Sequence, residues 1–138
     1  MSGADAFFDT SVVLYLFSGD AGKADRVEGL LEGGGVISVQ VLNEFAAAAK
    51  RKLLLSWPDI REVLSTVREL CVTRPVTAEI HDRGLDVAER YGFSLYDSMI
   101  VAAAQSAGCK TLYTEDLQHR QVIDGNLTVR NPFLQGAS

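Results

Sequence analysis

Apolar positions along the chain follow two alternating rhythms. Short β-branched or aromatic runs give way to longer stretches in which apolar residues recur every three or four positions, the signatures of strand and helix. "AFF" (6–8) predicts a short strand ending at Asp9, and the apolar run resumes as "VVLYLF" (12–17), a helix that Ser11 can cap. In "KADRVEGLLE" (23–32), Ala24, Val27, Leu30 and Leu31 stand near helical spacing, and "GGG" (33–35) stops the helix. "VISV" (36–39) predicts a buried strand. "VLNEFAAAAKRKLL" (41–54) consists of strong helix formers, with Leu42, Phe45, Ala46, Ala49 and Leu53 as its apolar stripe. "PDIREVLSTVREL" (58–70) opens with a proline suited to a first helical turn and aligns Ile60, Val63, Leu64, Val67 and Leu70. Trp57 and Pro58 fall in the preceding turn, with Trp57 expected in the core.

The second half continues the alternation. "CVTRPV" (71–76) reads as a strand, and Pro75 marks an edge or a strand end. "TAEIHDRGLDVAERYG" (77–92) is helical and stops at Gly92. "LYDSMIVAAAQSAG" (95–108) is so apolar that its helix must be largely buried. "KTLYT" (110–114) and "NLTVRNP" (126–132) close the pattern as strands. Strands alternating with helices imply a mostly parallel sheet covered on both faces. Ligand chemistry in such sheets gathers at the carboxyl ends of the strands.

Length and composition narrow the class. The 138 residues suit one compact domain with a single core. Hydrophobic residues at 47% and charged residues at 22% are ordinary for a soluble globular protein. The net charge of −5 argues against holding nucleic acid by bulk attraction, but leaves room for an acidic site neutralised by cations. Cys71 and Cys109 form no metal-binding spacing and read as reduced, buried thiols. With no signal-peptide pattern and no stretch of about 20 apolar residues, the expectation is a cytoplasmic protein away from the membrane.

Four carboxylates fall where the carboxyl ends of the strands would place them. Asp9 follows the first strand, Glu44 lies early in the helix after the second, Asp97 in the first turn of the buried helix, and Asp116 after "KTLYT". Each has an ordinary reading. Asp9 suits a helix N-cap, Glu44 a solvated helix face, Asp97 a capping box with Ser94, and Asp116 a first-turn acid, as Glu115 does equally. Together they are less ordinary, because carboxylates crowded at one edge repel each other. Mg²⁺ and Mn²⁺ prefer carboxylate and water oxygens and relieve that repulsion.

These residues resemble the PIN domain family, and specifically the toxin of a VapBC-type toxin–antitoxin module. "FFDTSVVLYLF" is similar to the family's opening segment, "ISVQVLNEF" to its acidic second element, "SLYDSMIVAAA" to its Y-D helix and "TLYTEDLQHRQ" to its final acidic segment. The four run in order from residue 7 to 121. The resemblance implies a three-layer α/β/α sandwich with a central mostly parallel sheet, and a Mg²⁺- or Mn²⁺-dependent endoribonuclease. It matches Asp9, Glu44, Asp97 and Asp116 to an acidic, metal-binding quartet, with Ser11 and Thr114 at accompanying hydroxyl positions. It further implies a homodimer, inhibited by an antitoxin protein through which operator DNA is bound.

Beside it, Lys50, Arg51 and Lys52 are candidate contacts to an RNA backbone or the solvated end of a helix, and Lys110 and Arg120 are weaker ones. His81 reads as a surface residue and His119 as a surface residue or an RNA contact. Two rival readings remain. "FFDTSVV" faintly resembles the nucleophile segment of haloacid dehalogenase-like phosphatases, although Ser11 occupies the position of their second aspartate. A non-catalytic α/β domain whose acids bind Mg²⁺ or a partner is the other.

Overall fold

A computed structural model describes residues 5–134. Strand β1 (Ala6–Phe8) leads into a short helix α1 (Thr10–Val13), which tightens into a 3-10 turn over Leu14–Phe17. There follow α2 (Ala21–Glu32), β2 (Gly35–Ser38), α3 (Val39–Arg51), α4 (Trp57–Leu70) and β3 (Cys71–Arg74). Then come α5 (Ala78–Tyr91), α6 (Leu95–Ser106), β4 (Thr111–Tyr113), β5 (Val122–Ile123) and β6 (Leu127–Arg130).

Local chemistry sets the boundaries. The side chains of Asp20, Ser56, Thr77 and Ser94 each accept the backbone N–H three residues on, capping α2, α4, α5 and α6. Gly92 ends α5 in the left-handed conformation, at φ 74°. Pro58 sits in the first turn of α4, as its missing N–H permits. Among the boundaries that differ from the expected ones, two lie next to the strand ends that carry the acids. Asp9, rather than Ser11, caps α1, and Val39 begins α3 instead of ending β2.

The strands form one sheet in the order β3-β2-β1-β4-β6-β5, parallel except for β5. β3 is an edge strand, as Pro75 suggested. The β5–β6 hairpin was not anticipated. It turns through Asp124 and Gly125, both at positive φ, with Asn126 N–H donating to Ile123 O at 3.2 Å. From β1 to β3 the chain steps across the sheet one way, then crosses back to β4 on the far side of β1. With right-handed crossovers this puts α1–α4 on one face and α5–α6 on the other, and α5 and α6 pack together. Phe7, Phe8, Ile37, Phe45, Leu112 and the run Ile100–Ala104 are buried between the layers. The expected three-layer architecture is the observed one.

Candidate active site

The order of the sheet reverses between β1 and β4, and such a switch opens a crevice at the strands' carboxyl ends. β1 and β4 are in register, Phe8 beside Tyr113, so Asp9 and Thr114 emerge next to each other. Asp9 N–H donates to Tyr113 O at 3.0 Å, continuing the ladder one residue past the strand. Its Oδ1 accepts Thr10 N–H at 2.7 Å, so the helix-cap reading of Asp9 is correct and still leaves Oδ2 for other partners.

Hydroxyls gather around that second oxygen. Thr114 Oγ1 donates to Asp9 Oδ2 at 2.7 Å and accepts Asp116 N–H at 3.0 Å. Ser11 Oγ donates to the same Oδ2 at 3.3 Å and accepts Glu115 N–H at 3.3 Å. Thr114 thus fixes both the Asp9 carboxylate and the backbone that presents Asp116.

Asp97 joins them from the first turn of α6, where Ser94 accepts its N–H at 3.1 Å. Ser94 thus supplies its half of the expected capping box, and the Asp97 carboxyl group faces the other two aspartates. Asp9, Asp97 and Asp116 each offer an oxygen within 4.8 Å of the others. Asp9 is buried, Asp97 half-buried and Asp116 exposed, so the cluster opens to solvent on one side.

The electrostatics show the cost of this crowding. Burial, opposed by the Thr114 hydrogen bond and reinforced by Asp116, pushes the Asp9 carboxyl up to about 7. Asp97 is also raised, by burial first and then by Asp116 and Glu44, against the Ser94 hydrogen bond. Three carboxylates held together, one of them buried, are compatible with the oxygen donors that a hard divalent cation prefers.

Glu44 stands beside this trio rather than in it. Its Oε1 accepts Thr10 Oγ1–H at 2.7 Å and its Oε2 accepts Gln40 Nε2–H at 3.2 Å. Thr10 did not stand out in the sequence because its contact with Glu44 spans 34 residues, and Gln40 did not because an i, i+4 pair on a helix face is common. Tyr15 is a third such residue, its hydroxyl donating to Glu115 Oε2 at 3.2 Å.

The remaining candidates lie apart. Lys50, Arg51 and Lys52 are exposed at the end of α3, roughly 9–12 Å along its axis from Glu44. Lys50 Nζ lies 5.0 Å from the centroid of the Trp57 ring. Trp57 itself is 55% exposed, contrary to the expectation of burial, because it begins α4 on the solvent side. His119 is half-buried, its Nδ1 accepting Asn131 N–H at 3.0 Å, which gives it a structural place. His81 is exposed on α5, as expected, and Cys71 and Cys109 are buried and outside any disulfide.

Comparison with known proteins agrees with this geometry. No curated protein matches the chain. Among solved structures, a toxin–antitoxin complex from Klebsiella pneumoniae superposes with a TM-score of 0.70 at 23% identity, over 93% of this chain and 98% of that one. VapC20 of Mycobacterium tuberculosis, a toxin that cleaves the sarcin–ricin loop, gives 0.65 at 18% identity, over 80% and 89%. VapBC2 of Rickettsia felis, bound to a DNA fragment from its promoter, gives 0.65 at 18%, over 90% and 96%. The PIN domain family model matches residues 6–124. A family match that begins with β1 and ends at the β5–β6 turn takes in all four acids and the strands β1 to β4 that gather them: the chain belongs to the PIN domain family.

Proposed function

We propose that this chain is a divalent-metal-dependent endoribonuclease, the toxin of a type II toxin–antitoxin module. The observation that carries the reading is the trio Asp9, Asp97 and Asp116, converging at the switch point of a parallel sheet with one member buried. Asp9, Asp97 and Asp116 would supply the oxygen ligands, and Glu44 would complete the shell directly or through water. A Mg²⁺ or Mn²⁺ ion bound there would acidify a water and offset charge on the scissile phosphate. Thr114 and Ser11 orient Asp9 by donating to Oδ2. Because Asp116 is exposed, a large polyanion can approach from that side. Lys50, Arg51 and Lys52 are offered as contacts to the phosphate backbone further along the strand.

The toxin role rests on the likeness to toxin–antitoxin structures. On this reading the chain forms a homodimer, is inhibited by a cognate antitoxin, meets DNA only through that antitoxin, and acts in the cytoplasm. No helix among the described residues is long and apolar enough to cross a membrane. Induced expression in a bacterial host tests the proposal. Growth arrest with new RNA ends is expected, and both should vanish for Asp97→Asn. Unimpaired growth and intact RNA at a level where the chain is folded would count against it.

A further inference from the structure

Glu44 poses a problem of placement. It lies near enough to Asp97 to act on it as a like charge, yet it holds its position at the edge of the aspartate trio. Left to repulsion, a flexible glutamate on a helix face would turn towards water. Two donors oppose this. Thr10 Oγ1 holds Oε1 at 2.7 Å, and Gln40 Nε2 holds Oε2 at 3.2 Å.

Gln40 does more than hold one oxygen. Its Nε2 also donates to the main-chain O of Tyr96 at 3.2 Å. Tyr96 immediately precedes Asp97, in the first turn of α6. A side-chain amide carries two N–H donors, so one Gln40 can serve both acceptors at once. Gln40 lies four residues before Glu44 on α3, the spacing at which helical side chains meet.

We propose that Gln40 is a positioning residue of the active site, whose amide holds the Glu44 carboxylate against the aspartate trio and ties α3 to the Tyr96–Asp97 turn of α6. This deepens the metal-dependent reading above and rests on it. Gln40 touches neither substrate nor cation; it acts chiefly through Glu44, and secondarily through the turn that presents Asp97. Removing such an outer partner of a ligand set ordinarily costs ~10–100-fold in metal affinity or activity.

The test is Mn²⁺ binding to the metal-free chain by titration calorimetry, with thermal melting beside it. Gln40→Met keeps the length and helix propensity of the side chain and removes both donors, and Gln40→Leu repeats the removal with a different shape. Each is expected to bind Mn²⁺ about 10-fold more weakly, with an unchanged melting temperature in metal-free buffer. In a Glu44→Ala background the same substitution should have a much smaller effect, because the carboxylate it holds is gone and only the tie to Tyr96 remains. Unchanged Mn²⁺ affinity in both folded Gln40 variants would overturn the proposal. So would an equal loss with and without Glu44, which would mean that Gln40 acts by another route. An unsubstituted chain that binds no Mn²⁺ would instead overturn the metal reading itself.

Discussion

Asp9 answers to opposing demands at the scale of a single residue. The fold buries its carboxyl group and sets Asp116 against it, while Thr10 N–H and Thr114 Oγ1–H favour its charged form. The balance lifts it from 3.8 to about 7, so the folded chain binds a proton there that the unfolded chain has already released. That contribution to stability is full below about pH 4 and is lost as pH rises through about 7. Asp97, also raised, acts in the same direction. In metal-free buffer, Asp9→Asn should therefore flatten this part of the stability profile and melt higher than the unsubstituted chain at pH 8. A steeper fall with pH in the variant would contradict the assignment. Thr114 makes the complementary prediction. Thr114→Val removes the 2.7 Å bond to Asp9 and the acceptor for Asp116 N–H in a buried setting. We expect a loss of ~1–3 kcal/mol in urea unfolding and an RNA-cleavage rate ~10–100-fold lower.

At the scale of elements, close approach of backbones decides where the acids point. Gly35 begins β2 directly against β1. A Cβ there would overlap the Phe8 ring and lie 3.0 Å from Ala6 O, and neither can yield without moving the strand that delivers Asp9. Gly35→Ala should cost ~1–3 kcal/mol by urea midpoint. Gly84→Ala, whose Cβ would meet the flexible Met99 thioether, should cost less, since alanine also favours the helix. The same scale explains what could be read in the sequence. Apolar period and stop residues announce α2 to α6 and the five parallel strands, because those signals are local. β5 escaped because two residues carry almost no period, although the Asp124-Gly125 turn was a usable sign. The acids were legible since each follows a readable element. Thr10 and Tyr15 were not, since their partners lie 34 and 100 residues away; Gln40 stands at helical spacing from Glu44, but its tie to Tyr96 spans 56 residues. Trp57 misled because a large aromatic ring suggests a core, whereas the first residue of α4 faces solvent beside Lys50.

Across the whole molecule, the aspartate trio should couple folding to metal. A cation that binds only the folded chain stabilises it by mass action, about 2.7 kcal/mol at a concentration 100 times its Kd. Because protons compete for the same carboxyl groups, Mg²⁺ or Mn²⁺ should raise the melting temperature more at pH 8 than at pH 6. An equal rise in Asp97→Asn would show that the cation binds elsewhere. The central claim is that this sheet edge cuts RNA through a bound metal. Its most direct test is cleavage of a pool of tRNA and rRNA by the purified chain with Mn²⁺, with EDTA, and with Asp97→Asn in place of the unsubstituted chain. The account predicts discrete fragments in the first reaction and none in the other two. Cleavage that persists in EDTA or in the folded Asp97→Asn variant, or a folded, antitoxin-free chain that cuts nothing with Mn²⁺ present, would contradict it.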